Sequence, residues 1–401
     1  MSETIKQNHP LDSFLYSTSR MFERASYYGI RAILIIYLIE GSLKMEETEA
    51  VNLYAMFSFA YIISKILGAI IGDLLLGNKQ SMVLGLILQT VGAFSLCFTS
   101  IIGVYPGLCL VTLGGGLYAP NIMSNFGKMY LHKLKLLDAG YMMFYLAVNL
   151  GSFLGVLLIV ALNDEYGFST SFICSGILMI LSIVPLLFLK GQKPTTHLIH
   201  TKLNTNKRIT IIGLAFLFIG VFWLFYNISY FGYHHIEVNF RINTSIGISP
   251  SLWSSIDSFS YIPIILFAVV IWTYCYTSQI IKLLIACVFG AASFTTLLLI
   301  PETPEKEHLA YFFISMILLR ISEAHISPIT HSILAKYCNP KYLAILISLV
   351  FIPTQIFYFI SAFLNTYIYE STIYPILIGI SGMIILSIIL IRYNRINNKL
   401  L

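Results

Sequence analysis

Twenty residues near the start of the chain, Ser19 to Leu38 (SRMFERASYYGIRAILIIYL), constrain everything that follows. They are long and apolar enough to cross a bilayer, yet they hold Arg20, Glu23, Arg24 and Arg31. A charge at that depth costs about 2.5–3.5 kcal/mol on insertion scales, so such residues face a protein interior or a water-filled path. At 100° per residue, Arg20, Glu23, Arg24, Tyr27, Tyr28 and Arg31 share one side of a helix, and Phe22, Ala25, Gly29 and Ile33 lie opposite. Snorkelling to the membrane surface accounts for Arg20 and Arg24. It accounts poorly for Arg31, which lies about 16 Å further along at 1.5 Å per residue. The stripe therefore predicts a wet cavity beside the first helix.

The rest of the chain agrees with a membrane reading. Of 401 residues 57% are hydrophobic and 10% charged, against about 25% charged in soluble domains. Cys97, Cys109, Cys174, Cys275, Cys287 and Cys338 sit singly in or beside apolar runs, without CxxC or metal spacing, and read as small packing residues. No cleavable signal peptide is evident. An all-α membrane protein of twelve spans is predicted, at roughly 13–40, 50–76, 80–101, 104–131, 139–163, 168–190, 208–233, 250–274, 279–300, 308–336, 342–368 and 373–392. The basic connector 191–207 divides the chain into an N-terminal six-helix bundle (1–190) and a C-terminal one (208–401). One set of loops is basic (Lys79; Lys128, Lys133, Lys135; Lys190, Lys193, Lys202, Lys207, Arg208; Lys336, Lys341; Arg392, Arg395, Lys399). The alternate set is acidic (Glu46, Glu47, Glu49; Asp164, Glu165; Glu302, Glu305, Glu307; Glu370). The positive-inside rule then places both termini in the cytoplasm of a multi-pass inner-membrane protein. The net +6 follows from these loops and does not indicate nucleic acid.

The two halves echo each other. Ser26–Gly29 (SYYG) recurs as Ser229–Gly232 (SYFG), and Ala119-Pro120 before Gly127-Lys128 recurs as Ser327-Pro328 before Ala335-Lys336 at the same spacing. A duplicated six-helix unit with a site near the midplane between the copies is transporter architecture. Gly114-Gly115-Gly116 reads as a close helix approach, since no strand precedes it and no lysine-serine pair follows, as a phosphate loop would need. No HExxH, GxSxG or CxxC supports an enzyme.

Several segments resemble the proton-dependent oligopeptide transporters of the major facilitator superfamily. FERASYYGIRAIL looks like that family's ExxERFxYYGxRAxL. GAIIGDLLLGNKQSMVLG, GGGLYAPNIMSNFGKMY and DAGYMMFYLAVNLGSFLG are similar to its segments around the second, fourth and fifth spans, and FWLFYN, PSLWSSIDSF and SEAHISPITHSILAK to the seventh, eighth and tenth. The resemblance implies a major facilitator fold of two six-helix bundles and proton-coupled import of di- or tripeptides by alternating access. It implies that Arg31 holds the peptide carboxylate, that Tyr27, Tyr28, Tyr145 and Trp223 line the site, that Asn149 contacts the peptide backbone, and that Glu323, with Ser327 one turn along, meets the amino group. Asp257 stands where the family usually has asparagine. Glu23 and Arg24 match the proton-coupling pair, and Asp73, Gly77 and Lys79 match a gating hinge after the second span. Independently, a zwitterion needs a cation at one end and an anion at the other, and a guanidinium fork suits a carboxylate.

Departures bear on coupling. Arg20 stands where the family has glutamate, and Ala119 where a lysine usually pairs with it. Tyr226 and Asn227 occupy the seventh-span position of an acid or glutamine, and Phe351 that of the eleventh-span tryptophan. The proton-coupling candidates are Glu23, Arg24, Arg20, Lys65, Asp257, Glu323 and His331, of which Lys65, Asp257 and His331 are replacements weighed against a structural role. His325 points away from Glu323, and Arg320 is placed to pair with Glu323 at i,i+3. A monomer working with peptide, protons and membrane lipid, without cofactor or metal, is expected. Two alternatives stay open: an uncoupled or diverged carrier of another small zwitterion or anion, and a non-transporting sensor.

Overall fold

The structure is a computed structural model that describes residues 8–41, 43–98, 100–189, 204–243, 250–301, 303–368 and 372–398. The side chains of residues 241, 243, 250–258, 368 and 396–398 fall outside that description. Lys190, Lys193, Lys202, Glu302, Glu370 and Lys399 lie outside it entirely, and so does most of the connector 191–207.

A bilayer offers the backbone no hydrogen-bond partner, so an apolar chain must satisfy its own amides in helices or a closed barrel. This chain takes the helical solution, and no strand occurs among the described residues. The helices are α1 (Leu11–Glu40), α2 (Glu47–Ile70), α3 (Asn78–Ser95), α4 (Ile101–Met129), α5 (Leu137–Tyr166), α6 (Phe168–Leu187), α7 (Thr205–Asn243), α8 (Pro250–Tyr274), α9 (Gln279–Leu297), α10 (Leu309–Tyr337), α11 (Leu343–Leu349), α12 (Phe351–Ile368) and α13 (Ile373–Asn398). The sequence predicts one eleventh span over 342–368, whereas the structure breaks it at Val350. Pro353 has no amide hydrogen for the Leu349 carbonyl one turn back, so the helix opens there. Counting α11 and α12 as one crossing gives the twelve predicted. Nine of the helical spans among the described residues are long and apolar enough to cross a membrane on composition alone. The charged α1 is not among them.

α2 ends in a π-helical turn, Ile71–Leu76, and Gly77 then adopts φ +84°. A side chain at that φ would be strained, so glycine is what lets the chain turn into α3.

The helices group into two compact units, residues 1–201 with 338–349, and residues 202–337 with 350–401. Within the first, α1 packs on α5 and α6, α2 on α4, and α3 on α4 and α6. Within the second, α7 packs on α12 and α13, α8 on α10, and α9 on α10 and α13. The pairings correspond one to one, as an internal duplication requires. The repeated SYYG/SYFG makes this visible at atomic scale. Buried Ser26 donates to the Ser175 carbonyl of α6 (2.8 Å), and buried Ser229 donates to the Pro375 carbonyl of α13 (3.0 Å). Each serine thus ties the first helix of its half to the last.

Glycines set how closely the helices of the first unit approach. The three of the fourth span face three different neighbours. A Cβ at Gly114 would meet the Gly85 carbonyl of α3, one at Gly115 the Tyr61 ring of α2, and one at Gly116 the Ser64 carbonyl. Gly68 faces the Gly116 carbonyl in the same way. Because backbone cannot yield as a side-chain tip can, Gly68→Ala is expected to cost about 1–3 kcal/mol. The check is thermal unfolding in detergent beside Gly213→Ala, whose new Cβ would meet nothing within 4 Å. Equal midpoints would refute the close-approach reading.

Candidate functional site

α1 has two faces. Ala25 and Gly29 sit against α5, where the Cβ of an alanine at Gly155 would strike the Ala25 carbonyl and that of one at Gly29 would strike Ile159. Positions three and four residues apart share a side of a helix, so this packing turns the charged stripe toward α2 and α4. The predicted grouping of Arg20, Glu23, Arg24, Tyr27, Tyr28 and Arg31 is what the structure holds together.

At its centre is Glu23, wholly buried. Its Oε2 accepts from Arg20 Nη1 (2.9 Å) and Arg24 Nε (2.7 Å), and its Oε1 from Arg24 Nη2 (2.5 Å). The same Arg24 Nη2 donates to the Tyr61 hydroxyl (2.6 Å), and its guanidinium carbon lies 4.4 Å from the Tyr27 ring centroid. Arg20 lies against the rings of Tyr118 (5.6 Å) and Phe144 (6.0 Å). Lys65, half-buried on α2, holds Nζ 4.6 Å from the Tyr61 centroid. It therefore stands beside the cluster to which Ala119 of α4 contributes no charge. Two turns along α1, half-buried Arg31 donates through Nε (3.0 Å) and Nη2 (2.6 Å) to the Tyr54 hydroxyl and lies 5.8 Å from Tyr27. Tyr27 meets Tyr28 edge-on at 5.5 Å and stacks on Tyr61 at 4.6 Å. On α5, Asn149 donates to the Tyr145 carbonyl (2.8 Å), and both side chains are half-buried.

In the second unit, Glu323 of α10 accepts from Arg320 one turn back, the pair predicted from their spacing, and from the hydroxyl of Tyr226 on α7. Both ion-pair side chains are nearly covered, 11% and 12% exposed. Trp223 meets Tyr226 edge-on at 4.9 Å, and Tyr226, Tyr230 and Tyr233 form a stacked ladder at 5.6 and 5.2 Å. Ser327 is half-buried, and its carbonyl accepts from Nδ1 of buried His331 (2.6 Å). His325 is directed elsewhere, donating to the Ile321 carbonyl and accepting from Trp272 Nε1 (3.0 Å). Asp257 lies on α8, at a position whose side chain is outside the described residues.

The turn after α2 forms a third cluster. Asp73 Oδ1 accepts from Asn78 (2.9 Å), and Oδ2 accepts the backbone N–H of Ile345 on α11 (2.9 Å). The sequence named Lys79 as the lysine of this hinge, but the structure exposes it. Lys128 of α4 reaches in instead, donating to Asn78 (2.6 Å) with Nζ 3.9 Å from Asp73. A lysine on the turn itself points outward, whereas one at the end of the neighbouring helix projects over the turn.

Sequence reasoning missed Tyr54 and Tyr61 and left Tyr226 out of the site. The signal was present for the first two: Tyr54, Tyr61 and Lys65 are spaced by seven and four, one stripe on a mostly apolar helix.

A family profile described as Major Facilitator Superfamily matches residues 17–240. The dipeptide and tripeptide permease A of Pectobacterium carotovorum subsp. carotovorum (strain PC1) is 30% identical over 237 residues, which are 56% of this chain and 46% of that protein. The protein of the same name from Escherichia coli (strain K12) is 29% identical over 226 residues, 54% of this chain and 44% of its own length. The matched region therefore spans just under half of these curated relatives. Among solved structures, a POT family transporter in complex with 5-aminolevulinic acid superposes with a TM-score of 0.64 at 22% identity, covering 96% of both chains. A POT family transporter in complex with a thioalcohol-conjugated peptide gives 0.64 at 22% identity over 97% of both. At that identity the structural likeness establishes the fold.

Proposed function

This chain belongs to the Major Facilitator Superfamily, and we propose that it imports di- or tripeptides by alternating access, coupled to protons. The observation that carries the reading is Arg31. It is a half-buried guanidinium in a membrane span whose hydrogen bonds, among the described residues, go to the neutral hydroxyl of Tyr54. A cation so placed suits a carboxylate that arrives with a ligand. In the second unit, the Glu323 carboxylate suits an ammonium group that can displace Tyr226 or Arg320. A short peptide carries both groups on one small molecule, and peptide permeases are among the relatives. Glu23, Arg24, Arg20, Lys65, Glu323 and His331 are the described groups through which protons would be coupled. Asp73 would gate, since it holds the backbone of α11 to the turn after α2. Both termini are assigned to the cytoplasm and the protein to the inner membrane on the loop charges.

The test is uptake of labelled Ala-Ala into proteoliposomes with and without an inward proton gradient. Saturable uptake stimulated by the gradient is expected, and Arg31→Gln should lower it about tenfold or more, because charge-assisted hydrogen bonds contribute about 1.5–3 kcal/mol. Absence of uptake and of binding would overturn the reading. The second reading, an uncoupled facilitator, is favoured by Arg20 and Ala119 standing where an acid and a lysine would complete the coupling set. It predicts saturable uptake indifferent to the gradient.

A further inference from the structure

Arg31 of α1 and Tyr54 of α2 meet through one particular edge of the guanidinium. Nε and Nη2 both donate to the Tyr54 hydroxyl oxygen, at 3.0 and 2.6 Å. Those two nitrogens form one side of the fork. Nη1 and the outer N–H of Nη2 point away from that side, and neither donates to a described residue. The guanidinium carbon lies 5.8 Å from the Tyr27 ring centroid and 5.3 Å from that of Tyr54, so the fork is held against two aromatic rings.

A phenol donates as well as accepts. The Tyr54 oxygen accepts from Arg31, and its own proton goes to no other described residue. Two donors of different kinds therefore stand side by side in a half-buried place: the outer N–H of Arg31 Nη2 and the O–H of Tyr54. The two oxygens of a carboxylate match such a pair. One takes the guanidinium N–H and the other takes the phenolic O–H. A carboxamide matches it poorly, because it has one oxygen and sets an NH2 group against the second donor.

We propose that Tyr54 binds the terminal carboxylate of the peptide together with Arg31, and so sets the preference for a free carboxy terminus. The inference rests on the peptide reading above and adds a specificity-determining residue to it. The tyrosine at the other charged group acts in the opposite sense. Tyr226 donates to Glu323 and uses an acceptor that an ammonium needs, whereas Tyr54 accepts from a cation and keeps its proton for the anion.

Binding to the purified full chain is read as the ligand-induced rise of the thermal unfolding midpoint, comparing Ala-Ala with its carboxy-terminal amide, and with propionate as a carboxylate that is not a peptide. The wild-type chain is expected to half-saturate with Ala-Ala well below the amide. In Tyr54→Phe the ratio of the two concentrations should fall about tenfold, the loss of one hydrogen bond to a charged group. The ratio is internal to each variant, so it does not depend on the variant's yield. Arg31→Lys separates contact from positioning, because an ammonium is a point charge with no edge to orient. Adding Tyr54→Phe to Arg31→Lys should lower the ratio again. A ratio that Tyr54→Phe leaves unchanged or raises overturns this inference and leaves peptide binding standing. A fall seen with Arg31 but absent with lysine means that Tyr54 only aims the guanidinium, and it overturns the contact. Stabilisation by propionate but by neither peptide, weakened in Tyr54→Phe, upholds the carboxylate contact and overturns the peptide reading. No stabilisation by any of them overturns both.

Discussion

Glu23→Gln is expected to lower the stability of the protein more than any other single substitution in the first unit, by about 3–5 kcal/mol, the usual cost of removing one partner from a buried ion pair. The side chain is wholly buried and its two oxygens accept three hydrogen bonds from two guanidiniums. Glutamine keeps the shape but presents donors where Arg20 or Arg24 needs an acceptor, and it leaves their charges facing the rings of Tyr27, Tyr61, Tyr118 and Phe144 without the carboxylate. Lys65, on the neighbouring helix, then adds to the repulsion. The check is the thermal unfolding midpoint in detergent against Lys79→Gln, an exposed control. Removing a cation as well should restore part of the loss. The double variant Arg20→Gln with Glu23→Gln is therefore expected to be more stable than Glu23→Gln alone, with a coupling of about 0.5–3 kcal/mol. A Glu23→Gln midpoint equal to that of the surface control would mean that the cluster is not the electrostatic keystone the geometry makes it.

What the sequence made legible follows from what each signal depends on. Helix number came through because hydropathy over some twenty residues reports the thickness of the bilayer directly. The stripe on α1 came through because a charge in an apolar run has few places to go. The pair Arg320–Glu323 was readable because it is local, one turn on one helix. Contacts between helices were harder. Which lysine meets Asp73 depends on how α4 passes the turn after α2, and Lys128 and Lys79 are equally basic on paper. Tyr61 reaches Arg24 only because Gly115 lets its ring lie against α4. That is a fact about two helices at once, and neither helix states it alone. The break in α12's span was written in Pro353, but a proline in a membrane helix is often tolerated when neighbouring groups satisfy the freed carbonyl. Composition therefore did not decide that point.

Glu323→Gln should cost most in transport. On the proposed reading this carboxylate receives the amino terminus of the peptide, and a charge-assisted hydrogen bond contributes about 1.5–3 kcal/mol, which is roughly ten- to hundredfold in apparent affinity. The loss should fall on peptides with a free amino group. N-acetylated Ala-Ala, which brings no ammonium, should bind wild-type and variant alike. That contrast separates substrate contact from general damage, since the Arg320–Glu323 ion pair is also lost in this variant. Tyr226→Phe makes the argument two-sided. In the structure the Tyr226 hydroxyl donates to Oε1 of the carboxylate that the ammonium would need. It competes with the ligand, and removing it should strengthen binding of Ala-Ala by a few-fold, because a hydrogen bond of about 0.5–1.5 kcal/mol no longer has to be broken. The edge-on contact of the ring with Trp223 and its stacking on Tyr230 are kept by phenylalanine, so the packing of α7 should survive. Opposite signs from two substitutions at one contact are hard to obtain from destabilisation, which would weaken both. If both variants lose affinity for Ala-Ala and for its N-acetylated form in the same proportion, Glu323 is a structural acid bound to Arg320, and the amino terminus is recognised elsewhere.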